Sequence, residues 1–163
     1  MLNGADRWCN EGAVIMSQIL GNNPDHSNGA GRGQPRLKLL LADDNPALLL
    51  EFQRVLDKEF EIVSTAADGR ALLEQYDRLR PEVIVTDISM PLMDGFEAVA
   101  KLRHRGKPKV IFLTVHEEPA FVEEAKALGV MGYVLKRSHP SVLVDAIRSA
   151  HEGRFFLCPE LCE

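Results

Sequence analysis

Between Leu37 and Gly153, five short apolar runs alternate with amphipathic segments, joined by short connections. This alternation constrains the fold more than any other feature. Strands separated by helices must lie parallel, and a parallel sheet needs helices on both faces. The apolar runs are residues 37–42, broken only by Lys38, then 60–65, 83–86, 110–115 and 133–135. The runs are largely unbroken, as suits strands buried on both faces. Helix signals sit between them. Asn45 is a good N-cap and Pro46 fits the first helical position, with Leu48, Leu49, Phe52, Val55 and Leu56 following at helical spacing. Asp68 caps a second helix that runs to Leu79, and Pro81 separates it from the next strand. Residues 96–103 form a third helix. Residues 120–128 form a fourth, stopped by Gly129, and Pro140 opens a fifth, stopped by Gly153.

Residues 1–35 differ in composition. The stretch 21–35 is rich in Gly, Asn and Pro and cannot bury enough apolar surface to offset its ordering entropy. It reads as a flexible leader. The folded part spans 36–153, and 154–163 reads as the start of a linker.

The net charge of −5 argues against a general binder of nucleic acid or of membrane surfaces, which is usually basic. No apolar run reaches the length of a membrane span. The three cysteines, Cys9, Cys158 and Cys162, lie near the chain ends and outside the predicted core. So sparse and odd a set makes no disulfide framework and suits a reducing cytoplasm.

Ligands of open parallel sheets bind at the carboxyl ends of the strands, near the point where strand order reverses. The polar residues there are Asp43 and Asp44 after the first strand, Asp87 after the third, Thr114 on the fourth and Lys136 after the fifth. Two carboxylates about 4 Å apart repel by roughly 4 kcal/mol at an effective dielectric near 20. One lysine does not offset three of them, whereas a hard divalent cation such as Mg²⁺ can. A carboxylate beside such a cation can attack phosphorus and form an aspartyl phosphate. Lys136 and Thr114 are placed to stabilise the transferring group.

From about Leu37 to Gly153 the sequence resembles the receiver domains of response regulators. The resemblance rests on the Asp43-Asp44 pair, the run from Asp87 through Ser89, Met90, Pro91, Met93 and Asp94 to Gly95, Thr114, and Tyr133 three residues before Lys136. It implies a flavodoxin-like (CheY-like) α/β fold, with a five-stranded parallel sheet in the order 2-1-3-4-5. By the same resemblance, Asp87 is the phosphoacceptor. Asp43, Asp44, Asp87 and the Ser89 backbone carbonyl hold Mg²⁺ (or Mn²⁺). Thr114 and Lys136 contact the phosphate, and Tyr133 is an aromatic switch residue paired with Thr114. Ser89 and His116 stand where the family tunes dephosphorylation.

The tail beyond Ala146 is similar to that of receivers preceding a helix-turn-helix domain of the NarL/FixJ kind. The partners implied are a sensor histidine kinase, a second copy on phosphorylation, and DNA only through an output domain not present in this chain. Three departures stand out: Arg137 replaces a common proline, Val115 replaces a common small residue and narrows access to the site, and Ser89 and His116 fill the two rate-tuning positions.

Blander readings stand beside these. Alone, Asp44 is a helix-start residue, Thr114 a strand residue, Tyr133 a packed aromatic and Lys136 a solvated strand end. Asp94 reads as a helix cap, Gly95 as a site of unusual backbone angle, and His26, His104, His139 and His151 as surface residues. Three other functions compete. One is a degenerate stand-alone receiver acting as an interaction module. Another is a phosphohydrolase of the haloacid-dehalogenase type, whose nucleophile would instead end the first strand. The last is a flavin-binding domain, disfavoured because Asp43 and Asp44 would repel its phosphate.

Overall fold

The computed structural model describes residues 35–162. The leader reading therefore falls, apart from Pro35, outside the described residues, as do Cys9 and His26. In chain order the elements are β1 (Lys38–Ala42), α1 (Pro46–Leu56), β2 (Glu61–Ala66), α2 (Gly69–Leu79), β3 (Val83–Thr86), α3 (Gly95–Leu102), β4 (Lys109–Thr114), α4 (Pro119–Ala127), β5 (Gly132–Leu135), α5 (Pro140–His151) and β6 (Phe156–Leu157). The sheet is parallel throughout, in the order β2-β1-β3-β4-β5-β6. This is the flavodoxin-like α/β arrangement. The order reverses between β1 and β3, so their carboxyl ends open the crevice in which such folds bind ligands.

The buried strands explain the stability of this scaffold. Leu39, Leu40, Val83, Ile84, Ile111 and Phe112 are sealed from solvent. Each such side chain contributes about 1.5–3 kcal/mol relative to exposure. The capping residues act as their types suggest. Asn45 Oδ1 accepts from the amides of Ala47 and Leu48 at 3.1 and 3.3 Å, Asp68 from Ala71 at 2.9 Å, and Asp94 from Glu97 at 2.8 Å. His139 adds a cap that the sequence did not signal, its Nδ1 accepting from the Ser141 amide at 3.3 Å.

Three expectations need correcting. The sheet has one strand more than the five read from the sequence. After Gly153, at φ +79°, the chain turns back and Phe156 and Leu157 pair with Gly132 and Tyr133. Two residues are too few to show a strand pattern. Cys158 is consequently part of the core, fully buried, its amide donating to the Tyr133 carbonyl at 3.0 Å. Gly95 has no unusual backbone angle. It is needed for close approach: a Cβ there would strike the Asp87 carbonyl oxygen and lie 2.9 Å from the Ile88 Cα.

Candidate functional site: an acidic pocket at the carboxyl edge of the sheet

Register places the acidic residues together. Ala42 pairs with Thr86, so the next residues, Asp43 and Asp87, leave neighbouring strands side by side. Their backbones are fixed: the Asp87 amide donates to the Ala42 carbonyl at 2.9 Å and the Asp43 amide to the Ala66 carbonyl at 3.0 Å. Asp43 and Asp87 are each only 5% exposed, while Asp44 beside them faces solvent. Oxygens of all three carboxylates lie within 4.8 Å of one another.

Lys136 reaches over from the end of β5. Its Nζ stands 2.6 Å from Asp43 Oδ2 and 2.8 Å from Asp87 Oδ2. Burial pushes the Lys136 ammonium toward losing its proton, but hydrogen bonds to Asp43 and Asp87 outweigh that and hold its pKa above the usual lysine value. The other oxygens are held by backbone amides: Asp43 Oδ1 accepts from Asn45 at 2.8 Å and Asp87 Oδ1 from Ile88 at 2.7 Å. Three carboxylates against one ammonium leave a local excess of negative charge. A hard divalent cation with oxygen ligands fits that donor set.

Thr114 and Tyr133 occupy the other side of this edge. The Lys136 amide donates to the Thr114 carbonyl at 2.8 Å, which sets Thr114 beside the lysine. The Thr114 hydroxyl is fully buried and accepts from the His116 amide at 3.3 Å. Tyr133 points inward, with no exposed surface, and its hydroxyl donates to the His116 carbonyl at 2.9 Å. Burial, with Glu118 next in effect, raises its pKa well above the tyrosine range.

The loop from Asp87 to Gly95 is shaped by backbone contacts. The Met93 amide donates to the Pro91 carbonyl at 2.7 Å across Leu92, which is held at φ +65°. The Gly95 amide closes the loop on the Ile88 carbonyl at 2.7 Å. Met93 is buried, and its carbonyl accepts from the Gly69 amide at 3.0 Å. This loop therefore ties α2 and α3 to the pocket.

Sequence reasoning gave His116 little weight and passed over Phe121. The structure brings them together: the rings stack with centroids 4.4 Å apart at 11°, and His116 Nε2 shares a hydrogen bond with Ser89 Oγ at 2.8 Å. Val115 points outward, 65% exposed.

A doubly wound sheet with an acidic pocket and one lysine at its carboxyl edge defines a class of α/β proteins that bind ligands at the strand ends. Comparison with known proteins narrows it. The response regulator receiver domain matches residues 39–148, and the chain belongs to that family. Transcriptional regulatory protein DesR of Bacillus subtilis is 33% identical over 129 residues, covering 78% of this chain and 64% of DesR. The signal receiver domain of NarL from Mycobacterium tuberculosis superposes with a TM-score of 0.71 at 31% identity, covering 74% of this chain and all of that one. A structure of RcsB dimers bound to DNA gives 0.71 at 27% identity, covering 77% of this chain and 66% of that one. The chain spans 55% and 64% of the length of two of its curated relatives. These relatives are transcriptional regulators, so the chain resembles signalling proteins and not a metabolic enzyme. No described helix is long and apolar enough to cross a membrane.

Proposed function

We propose that this chain is the phosphoacceptor domain of a two-component response regulator and that Asp87 takes the phosphoryl group. The observation that carries the reading is the convergence of Asp43, Asp44 and Asp87 under the Lys136 ammonium at the carboxyl edge of the sheet. An Asp87 carboxylate oxygen attacks phosphorus on the phosphohistidine of a sensor histidine kinase. The P–N bond breaks, and the imidazole leaves and takes up a proton. Asp43, Asp44, Asp87 and the Ser89 carbonyl would hold Mg²⁺ (or Mn²⁺), which supplies charge neutralisation for the phosphoryl oxygens. Lys136 stabilises the same charge, and the Thr114 hydroxyl offers it a donor.

Phosphorylation adds about −1.5 to −2 charges to a pocket already negative. The conformation that best accommodates them is then favoured. A shift from 1:99 to 99:1 takes about 5.5 kcal/mol of differential stabilisation. The readout is a change at β5 and its flanking helices, through Thr114 and Tyr133, that drives pairing of two copies or frees an output domain. RcsB is solved as dimers on DNA, which supports pairing here, with any DNA contact made by a separate output domain. In this reading residues 1–35 are a leader and 36–153 the receiver, while 154–163 pack on its edge through Phe156, Leu157 and Cys158 before leading into a linker. The protein works in the cytoplasm and turns over nothing beyond its own acyl phosphate.

Intact mass after incubation with acetyl phosphate tests the reading. One added phosphoryl group that requires Mg²⁺ and vanishes with EDTA is expected. No adduct, together with no binding of beryllofluoride, would instead leave a degenerate receiver acting as an interaction module.

A further inference from the structure

His116 bonds to residues on both sides of the pocket edge. Its Nε2 is tied to Ser89 Oγ, two residues after Asp87, at 2.8 Å. Its amide donates to the Thr114 hydroxyl at 3.3 Å and its carbonyl accepts from the Tyr133 hydroxyl at 2.9 Å. Its ring lies flat on Phe121 of α4. Phe121 continues to Phe96 at 5.8 Å, Phe96 to Phe112 at 5.0 Å, and Phe112 to Tyr133 at 6.3 Å. These rings come from α4, α3, β4 and β5, so the contacts form a closed circuit that starts and ends at His116. Packed aromatic pairs have preferred offset or edge-on geometries, and the circuit therefore resists small continuous adjustment.

We propose that His116 is a positioning residue that couples the acceptor pocket to helix α4, through its tie to Ser89 and its stack on Phe121. The proposal rests on the reading of Asp87 as acceptor. A phosphoryl group on Asp87 offers oxygens to the Ser89 and Thr114 hydroxyls, both of which bond to His116 when the pocket carries none. Recruiting them releases His116, its ring leaves Phe121, and α4 follows. Two side chains that feel the phosphate thus act on one residue, which bears on the helix.

Amide NMR of the full chain with Mg²⁺, with and without beryllofluoride, tests this in the wild type, His116→Ala and His116→Phe. The wild type should shift at 87–89 and across 119–127. In His116→Ala the shifts at 87–89 should persist while those across 119–127 fall by roughly three-fold or more. His116→Phe keeps a ring for Phe121 but cannot bond Ser89, and it should show the same loss. Both variants should still gain one phosphoryl group from acetyl phosphate and Mg²⁺ by intact mass, a result that separates lost coupling from a destroyed pocket. Full shifts across 119–127 in either variant would overturn the coupling role. A wild type that shows no change at 87–89 would overturn the acceptor reading and the coupling with it.

Discussion

The carboxyl edge of this sheet is built in two dissimilar halves. At the ends of β1 and β3 stand carboxylates whose oxygens are fixed by backbone amides and one lysine. At the end of β4 and within β5 stand a buried hydroxyl and a buried phenol, both bonded to His116 and backed by aromatic rings. The first half concentrates charge and holds it still, which suits chemistry at one atom. The second half has an ion pair only at its exposed rim, between Arg137 and Glu117 at 2.9 Å, and its buried groups are held by hydrogen bonds and ring packing, each worth about 1 kcal/mol. Interactions that weak can be exchanged. The difference suggests a division between a site that reacts and a site that reads the result.

The sharpest way to break this comparison is to remove the nucleophile. Asp87→Asn should abolish phosphoryl uptake and leave the fold intact, as read by intact mass and circular dichroism; a labelled, folded variant would place the acceptor elsewhere. Lys136→Ala should come next. It removes the only cation within reach of Asp43 and Asp87 among the described contacts. Uptake should fall by about 10²-fold, in line with losing one stabiliser of developing charge, and an unchanged rate would deny Lys136 that role.

How much of this was legible beforehand follows the physics of each signal. Alternating apolar runs and the caps Asn45, Asp68 and Asp94 gave the strands and helices because those signals are local. Asp43, Asp87 and Lys136 could be brought to one edge because parallel topology dictates where strand ends go. The stack of His116 on Phe121 could not be read. It joins a loop to a helix, and no spacing rule links such pairs. Strand β6 and the burial of Cys158 were missed for a related reason, since pairing with β5 depends on a reversal at Gly153 and not on any pattern in residues 155–157. Gly95 was correctly singled out for the wrong cause, because close approach to Asp87 leaves no mark in sequence distinct from a turn.

Smaller effects sharpen the account. Gly95→Ala should destabilise the protein by about 1–3 kcal/mol, the usual cost of overpacking, as measured by urea unfolding. It should also slow uptake, because the clash falls on the Asp87 backbone. Rising pH should erode stability as well. Burial raises the pKa of Cys158 from its ordinary 9.0 and that of Tyr133 from 10.0, and the carboxylates raise that of Lys136 from 10.5 against its own burial. All three groups are held protonated by the fold. Their contribution is therefore complete below the unfolded values and lost as pH climbs through the folded ones. Urea midpoints should hold to about pH 8.5 and decline above 9, and Cys158→Ser should soften the first part of that decline. A rise in stability across this range would contradict the burial of Cys158 and Tyr133 and the pairing of Lys136 with its carboxylates.

The most direct test of the central claim is to locate the phosphoryl group itself. Borohydride reduction converts an aspartyl phosphate to homoserine, which peptide sequencing by mass spectrometry can place. After treatment with acetyl phosphate and Mg²⁺, homoserine at position 87 alone is the predicted result. Homoserine at position 43 or 44, or none at all where an adduct had formed, would contradict the account.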